Sequence, residues 1–465
     1  MNDRHRRMVA LLVAGCFFME ILDATIVLTA TPKIAESLDV PVTSTALIIT
    51  AYLVTLAVLI PVSGWLTMRF GARRIFLTAI VLFTLASLGC ALSTSLAELV
   101  VMRVLQGVGG AMMVPVGRLV VLAETPKSEL LRTMAFIVWP ALIAPVIAPL
   151  AGGVLTEYAS WRWIFLINIP LGVIAFVFAW RLIQSRASGT APPLDRAGFL
   201  LTGTGLAALT YSAHIIAEPS PSWTLVIVLG AAAAVLLAAA AWHLLRTPAP
   251  LVNLRVLRIP TLGNAMAGNI FFWLVVGAIP FLLTLLFQDV FGWSPVKAGA
   301  VVIGVFVGNI AIKPFTTPLL NRFGFRPVLI TATMLLAVTA VLSGFLTAGT
   351  PIPVIAVLVV ISGAARSTGL TAYSTIAFSD VPPDRMRDAN TLAATVQQLG
   401  SGLGIAAATV ALRAGVPIGD WLPGKADAGT AYAVAFVVLA IVALGSTVEA
   451  FRMHRDAGDV LRAGR

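Results

Sequence analysis

The sequence predicts an all-α membrane protein whose helices cross the bilayer many times. Of its 465 residues, 59% are hydrophobic and only 11% are charged, whereas about 25% of the residues in a soluble domain are charged. The mean hydropathy of +0.98 agrees with this class. The apolar runs are about twenty residues long, which is the length that a spanning helix needs. Because the bilayer offers the backbone no hydrogen-bond partners, we expect each run to be a complete helix.

Fourteen such runs follow one another along the chain, grouped as six, two and six. The predicted spans are residues 9–31, 46–66, 75–93, 98–122, 134–157, 163–184, 199–216, 223–245, 264–288, 297–318, 327–347, 352–378, 389–413 and 429–451. A polar stretch with paired prolines and a short basic connector flank the middle pair. We therefore expect an N-terminal six-helix bundle in residues 1–184, a linker with two additional transmembrane helices in residues 185–262, and a C-terminal six-helix bundle in residues 263–465.

The placement of the basic residues indicates the orientation. With fourteen spans, 22 of the 31 Lys and Arg residues fall on the side that holds both chain ends, and 5 fall on the other side. Loops rich in Lys and Arg stay in the cytoplasm, so we expect a multi-pass protein of the bacterial inner membrane with both termini cytoplasmic. The net charge of +11 is spread over short loops, which argues against a nucleic-acid partner.

Neither metal nor nucleotide chemistry is predicted. Cys16 and Cys90 lie in apolar runs and look like small buried hydrophobes, and the four histidines are scattered along the chain. The glycines near residue 108 have no preceding strand and no Lys-Ser/Thr after them, so close helix packing is favoured over phosphate binding. We therefore expect no cofactor and no enzymatic activity.

A short basic loop occurs twice, once after the second helix of each six-helix group. The segment Gly64–Arg74 and the segment Thr317–Pro327 match at four positions each: Arg69, Phe70, Gly71 and Arg73 in the first, and Arg322, Phe323, Gly324 and Arg326 in the second. Basic loops can recur by chance, but here a Phe-Gly pair recurs at the same register. Two repeated halves with a site between them at the midplane are an architecture of transporters.

Five segments give the chain its resemblance to the major facilitator superfamily, and within it to the fourteen-helix drug:proton antiporters of the EmrB/QacA kind. They are Leu22–Pro32 in helix 1, the loop Gly64–Arg74, Arg103–Arg118 in helix 4, Ala148–Gly153 in helix 5 and Trp161–Gly172 entering helix 6. The resemblance implies a major facilitator fold that exports small molecules, with multidrug efflux as the expected function. A proton gradient supplies the energy, and a monomer is expected.

The resemblance is incomplete at three positions. The loop motif usually carries an acidic residue where this chain has Met68, and in the family that acid steadies the outward-open state. The helix-1 signature commonly has Asn where Leu28 stands, and the helix-5 motif has Gly where Ala148 stands.

Charged residues inside spans are functional candidates, because each costs at least ~2.5–3.5 kcal/mol at membrane depth. Glu20 and Asp23 are three residues apart on helix 1, so both carboxyls lie on one face. Burial and a nearby like charge both favour a protonated carboxyl, which makes this pair a candidate for proton coupling. The resemblance implies that Arg103 also takes part in proton coupling. The alternative is a static structural pair with a basic neighbour.

Three further basic residues inside spans come from both halves of the molecule: Arg118, Lys313 and Arg366. If they face one cavity, that cavity would bind an anion such as a carboxylate. Lys313 could instead snorkel to the membrane interface. Gln397 adds an uncharged polar group to this predicted substrate site.

Helix 5 and the two repeated loops are candidates for conformational change, with an ordinary membrane-helix kink as the alternative for helix 5. Pro145 and Pro149, with Gly152 and Gly153, give helix 5 a kink and a close-packing surface; the resemblance identifies them as an antiporter motif. The resemblance also implies a gating role for the repeated loops: Gly64, Arg69, Gly71, Arg73 and Arg74 in the first, and Arg322, Gly324 and Arg326 in the second.

Three functions remain in competition from the sequence. The first is a proton-coupled exporter of drug-like molecules by alternating access, and the second is an exporter of an organic anion. The third is a membrane receptor or sensor that does not transport, against which we note that no segment outside the predicted spans is large enough to be a signalling domain.

Overall fold

The computed structural model describes residues 3–124, 130–184, 193–218, 220–382, 385–419 and 428–454, with no side-chain detail for residues 122–142. All regular elements in this part of the chain are helices. They are α1 (Asp3–Leu38), α2 (Ala46–Phe70), α3 (Ala72–Leu92), α4 (Leu96–Glu124), α5 (Leu130–Tyr158), α6 (Trp163–Leu166), α7 (Asn168–Leu182), α8 (Arg196–Ala217), α9 (Trp223–Arg246), α10 (Pro260–Leu285), α11 (Pro295–Ala311), α12 (Lys313–Phe323), α13 (Phe325–Gly344), α14 (Ile352–Ile376), α15 (Met386–Gly419) and α16 (Ala428–Arg452).

The all-α membrane fold class is confirmed, and each predicted span corresponds to helical structure. Among the described residues, 12 helices are long and apolar enough to cross a membrane, or 13 if the bent pair α11 and α12 is one span. Helix α5 runs continuously over 29 residues, but its first half lies in the region without side-chain detail. The multi-pass architecture is therefore established, while the count of fourteen stays a prediction.

Two predicted spans are broken helices. The sixth consists of α6 and α7, which are separated at Ile167. The tenth consists of α11 and α12, whose axes differ by 49°. Pro314 is at the start of α12, and proline has no N–H to continue the hydrogen-bond ladder of the preceding helix. Hydropathy averaged over a whole span does not reveal where the helix inside it is broken.

The helices form two bundles that meet along two helix pairs. Helices α1–α7 pack mainly with one another, as do α10–α16, and the bundles contact each other through α2 with α15 and α5 with α11. The additional helices α8 and α9 pack against each other, and α8 also lies on α2 and α15. Val54 and Val58 of α2 pack with Leu206 of α8 in a separate apolar cluster. The extra pair thus covers one seam between the bundles.

The repeated loops have the same backbone geometry in both halves. Gly71 ends α2 with φ 85°, and Gly324 ends α12 with φ 83°. Each glycine N–H donates to the carbonyl four residues earlier, at 2.9 Å in both cases. A positive φ is easy for glycine and strained for other residues. The Phe-Gly repeat therefore marks equivalent sharp turns between two helices.

Candidate functional site

A buried ion pair joins α1 to α4 in the N-terminal bundle. Arg103 Nη1 donates to Asp23 Oδ2 at 2.6 Å, and neither side chain has any exposure to solvent. The Arg103 guanidinium also lies 4.1 Å from the centre of the Tyr52 ring, on α2. A buried charge is tolerated when it is paired and hydrogen-bonded. The structure thus brings together two of the three predicted proton-coupling residues.

Three uncharged residues complete this buried polar network. Gln106 Nε2 donates to the other Asp23 oxygen at 2.8 Å, and Asn168 Nδ2 donates to the same oxygen at 2.7 Å. Gln106 also accepts from Arg103 at 2.7 Å and donates to Ser87 Oγ at 2.7 Å. Asp23 accepts three hydrogen bonds in all, which suits an ionised carboxylate.

Sequence reasoning missed Gln106, Asn168 and Ser87 as members of the network. A signal existed for Gln106, because it is three residues after Arg103 on a helix and so shares its face. Asn168 lies within the helix-6 segment that resembles the family. Nothing in the sequence singles out Ser87, which reaches the network through the packing of α3 on α4.

A cavity of about 890 Å³ lies beside this network, between the two bundles. Ligand pockets have volumes of about 300–1,000 Å³, so the cavity can hold a drug-sized molecule. Its walls come from α1, α2 and α4 on one side and α15 on the other. Pro248, Ala249 and Arg387 line one end and are exposed, so the cavity opens to solvent there.

Four of the residues predicted at functional positions line this cavity: Glu20, Arg118, Gln397 and Gly64. Glu20 is only 8% exposed and lies in the electrostatic field of Arg118. The Arg118 guanidinium is 5.2 Å from the centre of the Phe17 ring. Glu20 therefore faces the cavity while Asp23, three residues on, faces the buried network.

The structure does not bring Lys313 and Arg366 to this cavity, contrary to the expectation that the basic residues of both halves share one site. Neither is among the described residues that line it. Lys313 is exposed and donates to Thr371 Oγ1 at 3.0 Å, and Arg366 lies 5.4 Å from the centre of the Phe306 ring. The reason is topological: α14, which carries Arg366, packs on α11 and α13, whereas α15 faces the N-terminal bundle.

The opposite end of the bundle interface is closed by the helix-5 motif. The backbone of Gly153 abuts that of Pro295 at the start of α11, where an added Cβ would be 2.6 Å from the Pro295 oxygen. Gly299 of α11 fits against Pro149 in the same way. Glu157 also accepts a hydrogen bond from the Val296 N–H at 3.0 Å. Proline and glycine thus let α5 and α11 pack backbone to backbone.

The neighbouring glycine of the motif packs on a different helix. An added Cβ on Gly152 would be 2.9 Å from the Ile26 carbonyl oxygen of α1. At the same end, Gln288 Nε2 donates to the Thr29 carbonyl at 3.0 Å, which connects the C-terminal bundle to α1. Helices α1, α5 and α11 therefore form one tightly packed block at the closed end.

The linker around the additional helices forms part of the cavity mouth. Asp195 caps α8 by accepting from the Gly198 N–H at 2.8 Å, and it also accepts from the Leu251 N–H at 3.1 Å and contacts His243 Nε2 at 2.7 Å. Burial favours the protonated carboxyl, but these hydrogen bonds outweigh it and lower the pKa of Asp195. Asn253 Nδ2 donates to Asp388 Oδ2 at 2.6 Å. The linker is thereby joined to the start of α15.

The basic residues of the loop motifs lie at the surface or near it. Arg73 donates to the Trp180 carbonyl at 2.8 Å and stacks 5.3 Å from the centre of that ring. Arg69, Arg74 and Arg322 are exposed, and Arg326 is half-buried. Met68, the position of the missing acid, lines the cavity mouth and is 37% exposed. The gating role of these basic residues stays a prediction.

No cluster of three or more potential metal ligands occurs among the described residues. Cys16 and Cys90 are buried in the helical core, and neither is in a disulfide within the described residues. The groups that the cavity offers a ligand are carboxyls, guanidinium groups and amides.

Comparisons with known proteins agree with this architecture. A family model described as Major Facilitator Superfamily matches residues 13–405 and 265–458. Two relatives carry the name multidrug resistance protein MdtD. The one from Salmonella paratyphi A is 38% identical over 403 residues, covering 86% of this chain and 85% of the relative. The one from Cronobacter sakazakii is 37% identical over 454 residues, covering 97% and 94%.

Solved structures show the same fold at low sequence identity. A bacterial homologue of the human lysosomal transporter Spinster, in an inward-facing and unoccupied conformation, has a TM-score of 0.66 at 16% identity and covers 97% of this chain and 98% of its own. The transporter PepTSo of the POT family has a TM-score of 0.67 at 13% identity, covering 98% and 99%. The chain is therefore a multi-pass membrane transporter rather than an enzyme, and it belongs to the major facilitator superfamily.

Proposed function

We propose that this protein is a proton-coupled secondary active exporter of small amphiphilic molecules, and that it acts in multidrug efflux by alternating access. The observation that carries the proposal is the position of two carboxyls on α1. Glu20 faces the cavity between the bundles, and Asp23 is held by Arg103 in the buried network. In this proposal Glu20 takes up a proton from the cavity and passes it to Asp23, the carboxyl that pairs with Arg103.

Protonation of Asp23 would change the energy of that packing. An ionised Asp23 balances the buried charge of Arg103, and a neutral one leaves that charge without its counter-ion, which is strongly unfavourable. Among the described residues, Arg103 Nη2 and Asn168 Oδ1 already lack hydrogen-bond partners, so the network has room for a second arrangement. A network with two arrangements can link proton binding to the conformation of the bundle.

The charge bias of the loops supports an orientation in which the open end of the cavity faces the cytoplasm. The described conformation is then inward-open, and α5 and α11 must separate for release on the other side. We propose that the protein lies in the bacterial inner membrane with both termini cytoplasmic, and that it works as a monomer. We also propose that it uses no cofactor and that the proton gradient is its energy source. The relatives named for multidrug resistance support drug-like substrates.

Flux measurements in proteoliposomes test this proposal. We expect efflux of a fluorescent amphiphilic dye that accelerates when a pH gradient is imposed and stops when a protonophore is added. The Asp23→Asn variant should lose the acceleration, whereas Glu36→Gln, which neutralises an exposed carboxyl of the same helix, should keep it. If dye flux through the wild type does not depend on the pH gradient, the protein catalyses facilitated diffusion and the proposal is wrong.

An organic anion is the second candidate substrate, because the guanidinium groups of Arg118 and Arg387 line the cavity. This candidate predicts that carboxylates are exported and cationic dyes are not. Neutralising Arg118 should then abolish export, whereas neutralising Arg366, which lies outside the described cavity lining, should leave it intact. Export assays with cationic, neutral and carboxylate compounds in an efflux-deficient strain distinguish the two candidates.

A further inference from the structure

Five charged residues line the cavity, and three of them are at its mouth. Asp195 is held by His243 and two backbone N–H groups, and Asp388 is held by Asn253. Arg387 is exposed to solvent. These three charged groups are therefore hydrogen-bonded by protein groups or solvated by water. The remaining two, Glu20 and Arg118, lie on the cavity walls formed by α1 and α4.

Glu20 and Arg118 differ from the two aspartates at the mouth. Among the described residues, neither forms a hydrogen bond or an ion pair within 4.0 Å, although each lies in the electrostatic field of the other. Glu20 is almost completely buried, whereas Arg118 is exposed where it lines the cavity. The two side chains come from facing helices, α1 and α4, and both reach the cavity. The cavity thus presents one negative and one positive group without direct partners.

Such a pair favours a ligand that carries both charges. A purely cationic ligand would satisfy Glu20 but would lie close to the positive Arg118, and a purely anionic ligand would meet the opposite conflict. A ligand weakens its own binding when it places a like charge beside either group, or displaces water from a charged group without replacing the lost contacts. A ligand with an amine and a carboxylate satisfies both groups at once, and the guanidinium suits a carboxylate by its two parallel N–H donors.

The rest of the cavity suits an apolar ligand body with few charges. Phe17, Ile60 and Trp65 line the same N-terminal wall, and the α15 wall offers the neutral amides of Gln397 and Gln398. We propose that the substrates of this transporter are zwitterionic amphiphiles, whose amine binds Glu20 and whose carboxylate binds Arg118. This inference rests on the proposed export function and names the class of molecule that the site takes.

Equilibrium binding to the full-length protein in lipid nanodiscs tests the assignment without requiring transport. The probes share one apolar body: 3-(2-naphthyl)alanine is the zwitterion, its methyl ester is the cation, and its N-acetyl form is the anion. We expect the zwitterion to bind at least about tenfold more tightly than either derivative, as one charge-assisted contact would give. Equal binding of all three probes, or a preference for the ester or the N-acetyl form, would overturn the assignment.

Two variants locate the two contacts. Glu20→Gln should remove the advantage of the zwitterion over the N-acetyl form, and Arg118→Gln should remove its advantage over the ester. Glu36→Gln is the control, because it removes an exposed charge from α1, and it should keep the wild-type ranking. Size-exclusion profiles and helical circular dichroism establish that each variant is folded. A ranking that survives both cavity substitutions would contradict the proposal.

A wrong substrate assignment can be distinguished from a wrong export function. If the dye is pumped in response to a pH gradient but the zwitterion has no binding advantage, the substrate assignment is wrong and the exporter stands. If the zwitterion binds with the expected ranking but no compound moves in response to the gradient, the exporter proposal is wrong and the binding assignment stands.

Discussion

At the scale of single residues, the two carboxyls of α1 show how burial separates similar groups. Glu20 and Asp23 share one helix face, yet Glu20 reaches the cavity while Asp23 accepts three hydrogen bonds inside the bundle. Their i, i+3 spacing predicted that they are neighbours. It did not predict which of them is paired, because Arg103 and Asn168 come from other helices.

We expect Asp23→Asn to destabilise the protein by about 3–5 kcal/mol, because it leaves Arg103 as a buried charge without a counter-ion. Unfolding in detergent, followed by circular dichroism, measures the loss. Breaking the exposed Lys33–Glu36 pair with Glu36→Gln should cost at most about 1 kcal/mol. Combining Asp23→Asn with Arg103→Gln should destabilise by less than the sum of the two single effects. Strictly additive losses would show that the two residues do not interact.

At the scale of helices, the helix-5 motif and the linker act at opposite ends of the molecule. Gly152 and Gly153 allow α5 to pack against α1 and α11 at the closed end. Asp195 ties the start of α8 to the end of α9 and to the chain at Leu251 at the open end. The packing of α5 depends on the absence of glycine side chains, whereas the contacts at the start of α8 depend on the charged side chain of Asp195.

Gly153→Val should prevent α5 and α11 from closing, because the added side chain would overlap the Pro295 backbone. Spin labels at the exposed positions Tyr158 and Lys297 would report a longer distance in the variant than in the wild type, and dye export should fall. Gly15→Val is the matched control, since no atom lies within 4 Å of an added Cβ there. An unchanged distance in Gly153→Val would contradict the closed-end assignment.

Asp195 gives the α8 cap a defined pH dependence. Its hydrogen bonds lower the pKa of the folded carboxyl despite burial. The stabilisation from ionised Asp195 is therefore complete above the ordinary aspartate pKa of about 3.9. It is lost as the pH falls through the lower pKa of the folded state. We expect Asp195→Ala to be less stable than the wild type by about 1 kcal/mol at pH 7. The difference should shrink in melts below about pH 4, and a difference that grows there would be inconsistent with this account.

At the scale of the whole molecule, a cavity open at one end lies between two bundles, and the additional helices cover a seam between them. The cavity lies where α2 and α4 face α15, so its shape depends on how the two halves are placed. The contacts of α8 reach both halves, through α2 and α15. When the bundles move relative to each other, the contact of α8 with α2 or with α15 must therefore change.

We expect both chain ends to lie in the cytoplasm, because the side that holds them carries most of the Lys and Arg residues. A green fluorescent protein fused after Arg465 should fluoresce in bacteria, and alkaline phosphatase fused at the same place should be inactive. A phosphatase inserted after Asp39, in the loop between α1 and α2, should be active. Phosphatase activity at the C-terminus would contradict the even number of spans.

Much of the architecture follows from the sequence alone. Apolar runs of spanning length predicted every helix region, because the bilayer forces each run to satisfy its own backbone. The repeated Arg-Phe-Gly loop identified equivalent turns, because a positive φ requires the same residue type in both halves. The motif residues Asp23 and Arg103 were also found in this way, since a charge in an apolar run is rare enough to be noticed.

The tertiary structure alone decided which polar groups meet. Arg118 and Gln397 line one cavity while Lys313 and Arg366 do not, although all four are polar positions in apolar helices. The pairing of Asp23 with Asn168 joins residues that are 145 positions apart. Hydropathy reports how each helix meets the lipid, but the neighbours of a helix face depend on how the helices are arranged around one another. That arrangement is fixed by close contacts such as Gly153 with Pro295. The glycines predicted a close-packing surface on helix 5, but they did not predict which helix packs there.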